Sequence, residues 1–96
     1  MATYGEFLRA ERNKKGLTQS EFGQPLGIIM TDISKIERGK KKFPFPSLKV
    51  LAEFLGKDYF ELKNLYVADK LVEEVHKYKC SDAVFAVAES QSKYLE

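Results

Sequence analysis

One cysteine and one histidine are all the thiol and imidazole chemistry in these 96 residues. Cys80 has no second cysteine with which to close an internal disulfide, which agrees with a reducing compartment. His76 lies four residues before Cys80 and would share a helix face with it, but structural zinc takes four ligands and no further Cys or His exists. No metal and no cofactor are therefore expected. The nucleophile-elbow, phosphate-loop and HExxH patterns are absent too, so no catalytic residue is named and the chain does not read as an enzyme. Paired acids such as Glu73 and Glu74 are adjacent helix positions, which point apart. No run approaches the roughly 18 apolar residues of a membrane span. The polar start, Met1 to Glu6, lacks the basic and apolar regions of a signal peptide. A cytoplasmic protein with no membrane partner is the expectation.

Charge of one sign is scarce overall, with a net charge of only +2, but it is unevenly spread. Residues 1–57 hold eleven Lys/Arg and six Asp/Glu, giving +5, and residues 58–96 hold five and eight, giving −3, which together make +2. The first part is the one suited to phosphates. A hydrophobic share of 44% is enough for one compact core.

What the sequence does have is helix punctuation. Thr3 with Glu6, Thr18 with Glu21, and Asp58 with Glu61 have the capping-box spacing, in which an oxygen accepts from an early N–H and the acid three residues on reaches back. Gly16, Gly27, Gly39 and Gly56 each follow a plausible last turn. Leu48, Leu51, Ala52 and Leu55 recur at helical spacing, and no strand alternation competes with it. The spacing predicts helices near 4–15, 18–26, 30–38, 47–55, 59–78 and 82–95, an all-α bundle. Pro25 falls late in the second helix and removes a backbone donor, so that helix is expected to bend or end early. Gly39 to Pro46 contains two prolines and the run Lys40, Lys41, Lys42, and it reads as a basic loop. Phe43 and Phe45 in it are loop aromatics beside prolines, which more often pack on their own core than serve a ligand.

The informative stretch is Leu17 to Gly39. A second helix starts at Thr18, a tight turn falls at Gly27, and a third helix offers Ile33 and Ile36 inward while Thr31, Asp32, Lys35 and Arg38 face out. Two short helices joined in this way, the second with a polar outer face, suit a groove about 12 Å wide.

Arg9-x-x-Arg12, Leu17-Thr18-Gln19, Leu26-Gly27, the run Ile33 to Gly39, and Leu48-x-x-Leu51-Ala52-x-x-Leu55-Gly56 together resemble the Cro and phage-repressor type of helix-turn-helix, the XRE family. The resemblance covers about residues 4–62. It implies sequence-specific binding of double-stranded DNA by a transcriptional regulator, a repressor or an activator, with the third helix in the major groove of a palindromic operator. It assigns Met30, Thr31, Asp32 and Lys35 to base reading. Gln19, Arg38, Lys40, Lys41 and Lys42 are assigned to phosphates, and Arg12 with Glu37 to a structural ion pair. Small members of the family include restriction–modification controllers and antitoxins, and an interaction module with secondary DNA binding is the alternative reading. The sequence departs from the family pattern at Ile29, where a Ser or Thr cap is usual, at Met30, where Gln is frequent, and in the extra Phe43-Pro44-Phe45.

Beyond a helix-turn-helix domain over 1–62, residues 63–96 form a helical extension. Leu62, Leu65, Tyr66, Val72, Val75 and Tyr78 mark one face, and Val84, Phe85, Ala88 and Leu95 another. These faces could pack back on the first domain. A homodimer interface is the favoured expectation, because readers of this type bind paired half-sites and the acidic balance keeps the segment off DNA.

Overall fold

Thr3 accepts a hydrogen bond from the Glu6 N–H at 3.2 Å, and this cap starts helix α1, Tyr4–Lys14. The computed structural model describes residues 3–95, and among them every regular element is helical. Thr18 opens α2, Gln19–Gly23, with a complete capping box: its hydroxyl accepts from the Glu21 N–H at 3.1 Å and its own N–H donates to Glu21 Oε1 at 2.9 Å. The bond from the Thr18 backbone, and then that from its hydroxyl, holds the Glu21 carboxyl below its ordinary pKa.

The helix expected over 18–26 is two pieces. Pro25 has no N–H to give, so the chain tightens into a 3-10 turn, Gln24–Leu26, and leaves it at Gly27 with φ 69°. That left-handed residue turns the chain into α3, Met30–Glu37. The basic loop that follows is irregular only as far as Pro44; its end is a second 3-10 turn, Phe45–Ser47, which leads into α4, Leu48–Leu55. Asp58 Oδ2 caps α5, Tyr59–Lys77, by accepting from the Glu61 N–H at 3.1 Å, and α6 is Ala83–Leu95. None of the described helices is long and apolar enough to cross a membrane.

The chain divides within α5 into two compact units, one up to Tyr66 and the other from Val67. In the first, Leu8, Phe22, Ile33, Leu48 and Leu51 are fully buried at the centre of a core that also takes in Phe43 from the basic loop. Phe43 therefore packs inward. The Tyr66 hydroxyl donates to the Phe43 carbonyl at 2.8 Å, and its ring meets that of Tyr4 edge-on at 5.4 Å. These contacts carry the first unit past position 62, where the sequence pattern ends it. In the second unit Val75 is buried, and an apolar groove of about 190 Å³ runs between Leu71, Tyr78, Val84 and Phe85.

Gly23, which carries no turn signal in the sequence, decides how closely α2 and α3 approach. A Cβ there would overlap the Ile28 carbonyl oxygen and crowd Ile33. Gly23→Ala is expected to lower stability by about 1–3 kcal/mol, the cost of overpacking a tight site. A urea midpoint equal to that of the wild type would contradict this close approach.

Candidate nucleic-acid interface

Arg12 on α1 and Glu37 at the end of α3 meet as a two-pronged pair, with Arg12 Nε 2.7 Å from Glu37 Oε2 and Nη2 3.1 Å from Oε1. Their side chains are 13% and 3% exposed. The third arm of the guanidinium, Nη1, donates to the Leu17 carbonyl at 2.9 Å, and Gln19 Nε2 donates to Glu37 Oε1 at 3.1 Å. The carboxylate thus ties α3 to α1 and α2, and the guanidinium ties in the loop between those two. Donation to the Glu37 carboxylate holds the Arg12 pKa above its already high ordinary value.

Gly5 makes the same junction possible from the other side. An added Cβ would sit 2.5 Å from the Ile36 carbonyl oxygen and 2.8 Å from that of Glu37, so the start of α1 lies directly against the last turn of α3. Nothing in a single sequence separates this glycine from an ordinary one, because the neighbour it accommodates is about thirty residues away.

With its inner face held by Ile33 and Ile36, α3 turns Met30, Thr31 and Lys35 to solvent. Met30 is 54% exposed, and the residue before it, Ile29, is 67% exposed. Gly39, with φ 74°, lets the Lys40 N–H close on the Lys35 carbonyl at 2.8 Å, which ends α3 and starts the lysine loop. Lys40, Lys41 and Lys42 are all exposed, as is Arg38, whose Nε donates to the Ser34 carbonyl at 3.3 Å.

Two of the residues assigned by resemblance are paired with each other. Lys41 reaches back to the first turn of α3 and sets its Nζ 2.9 Å from Asp32 Oδ2, so the two charges neutralise one another. Gln19 likewise gives one amide N–H to Glu37. Met30, Thr31, Lys35, Arg38 and the lysine loop nonetheless form one surface that is cationic along its edge and mixed apolar and polar on the helix.

This geometry defines a class. The helix-turn-helix domain family matches residues 3–59, and the chain belongs to it. The HTH-type transcriptional repressor RghR of Bacillus subtilis (strain 168) is 37% identical over 97 aligned residues, which include all of this chain and 65% of that protein. The chain thus spans about two thirds of the length of the curated relative it matches. Among solved structures, the P22 c2 repressor protein in complex with synthetic operator 9T aligns with a TM-score of 0.58 at 27% identity, covering 65% of this chain and 94% of that one. The SinR/SinI protein complex aligns with a TM-score of 0.53 over 96% of both chains, and at 22% identity it shows likeness of fold.

Removing one partner of a buried ion pair strands the other charge, at a cost of roughly 3–5 kcal/mol, whereas an exposed pair is worth about 1 kcal/mol or less. Glu37→Ala is therefore expected to lose several kcal/mol of stability in urea titration. Gln19→Ala, which removes one hydrogen bond to the same carboxylate, should lose about 1.5–3 kcal/mol. A Glu37→Ala melting temperature within a degree of wild type would show that the pair does not hold the domain.

Proposed function

We propose that this chain is a sequence-specific DNA-binding transcriptional regulator, acting in the cytoplasm as a homodimer that lays α3 of each copy into the major groove of a two-fold operator. The observation that carries this reading is the single surface made by α3 and the lysine loop, mounted on the Arg12–Glu37–Gln19 lock. Helices used in this way contact bases through their N-terminal residues, with flanking elements on the backbone. Met30, Thr31 and Lys35 are then readers, and Arg38, Lys40 and Lys42 grip phosphates. Gln19 grips with the amide N–H that Glu37 leaves over. Asp32 reads, and Lys41 grips, once their ion pair opens. The name of the Bacillus subtilis relative favours repression as the mode.

Reading and gripping separate by experiment. Lys35→Ala should cost about 1–3 kcal/mol on a duplex selected from a random pool and relax preference at one base position. Lys40→Ala should weaken selected and scrambled duplexes alike and reduce the slope of log K against log salt by about one. Equal weakening of both duplexes by Lys35→Ala, with a changed base preference in Lys40→Ala, would reverse the assignment. No selective binding of any duplex by the wild type would remove the function.

The homodimer rests on the second unit. Leu71 is 49% exposed, Val72 42%, Val87 55%, Tyr94 90% and Leu95 84%, in a segment whose size is below what buries its own core unaided. A second copy covers such a face at about 25 cal/mol per Å² of apolar surface. Val87→Asp should weaken self-association at least about tenfold by sedimentation while leaving the helical circular dichroism intact. Unchanged sedimentation would place the interface elsewhere.

A further inference from the structure

Five helices begin in the first unit, each needing partners for the N–H groups of its first turn; α3 and α4 start without a side-chain cap, and of these two α3 is the one preceded by a residue, Ile29, with no polar side chain to offer. Thr3 and Thr18 cap α1 and α2 from an extended backbone, with φ −68° and ψ 166° at the first and φ −73° and ψ 165° at the second. Ile29 holds the same conformation at the start of α3, φ −71° and ψ 156°, and makes no side-chain cap. The backbone is thus set for a hydroxyl, and the side chain in place is apolar. Neither does that side chain find the core: Ile28 packs against it, while Ile29 is 67% exposed and the next residue, Met30, 54%. Ile29 therefore forfeits a cap and leaves its hydrocarbon in water, two costs at one position that folding does not explain.

DNA contact does explain them. The N-terminal end of a groove-docked helix is the end that meets base edges, and the one apolar feature on those edges is the C5-methyl group of thymine. We propose that Ile29 and Met30 are an apolar reading edge that recognises thymine methyl groups in the operator, and that Ile29 gives up helix capping for this contact. The inference rests on the DNA-binding reading above and adds to it the chemistry of the base that is read. Lys35, about one and a half turns further along α3, supplies a donor for guanine.

Deoxyuridine differs from thymidine by that methyl group alone, so it tests the contact without disturbing base pairing. Duplexes are first selected by the full chain from a random-sequence pool, and each thymine of the selected duplex is then replaced singly by uracil. Wild type should bind about fourfold more weakly at one or two thymine positions in each half-site, the change expected for one buried methyl-sized group. Ile29→Ser should bind the thymine and uracil duplexes equally at a position that Ile29 reads, and its melting temperature should rise because a cap is restored. Ile29→Val, which keeps a branched apolar side chain, should retain most of the uracil sensitivity. Selection of a duplex in which no thymine responds to uracil overturns the inference and leaves DNA binding standing. The same is true if Ile29→Ser keeps the full sensitivity at every position and Met30→Ser does as well. Failure to select any duplex overturns the DNA-binding reading and the inference with it.

Discussion

The carboxylate of Glu37 is 3% exposed, and burying it is tolerable only because Arg12 and Gln19 bring donors to both of its oxygens. The three residues come from three different helices, so satisfying one charge sets the angle and register of α3 against α1 and α2 together. Apolar packing of Ile33 and Ile36 would hold α3 against the core over a range of rotations, since hydrophobic contact is non-directional. The two-pronged guanidinium fork narrows that range. Gly5 and Gly23 complete the constraint from the steric side, each allowing backbone to approach where any Cβ would intervene.

A helix fixed this firmly presents its outer face at a set angle to the rest of the first unit. In this protein that face is neither uniformly basic nor uniformly polar. Its first turn carries exposed hydrocarbon at Ile29 and Met30 and an acid, Asp32, that is already paired with Lys41, while its far end runs into the lysine loop. Under the proposed function, this arrangement divides two tasks between α3 and the loop after it, discrimination of bases at the start of the helix and hold on phosphates in the loop.

The charge asymmetry between the two parts of the chain follows the same division. The basic balance lies with the elements around α3. The acidic balance falls on α5 and α6, whose exposed apolar side chains suit a protein surface rather than a polyanion.

Much of the helical layout was legible from local chemistry, because caps and left-handed glycines act over three or four residues. Thr3, Thr18 and Asp58 start helices in the sequence pattern and in the structure, and Gly27, Gly39 and Gly56 end elements with positive φ. Pro25 announced the break in α2 for the same reason. The outward residues of α3 also followed from its periodicity, since Ile33 and Ile36 leave only one face for solvent. What only the tertiary structure decided depends on groups that no cap or helical spacing brings together. Tyr66 joins the first unit through the Phe43 carbonyl, Lys41 folds back onto Asp32, Gln19 donates to Glu37, and Gly5 and Gly23 face carbonyls that no local pattern places beside them. Local hydrogen bonding determines where each helix begins and ends, whereas the pairing of buried charges and the closeness of backbones exist only once the helices have met.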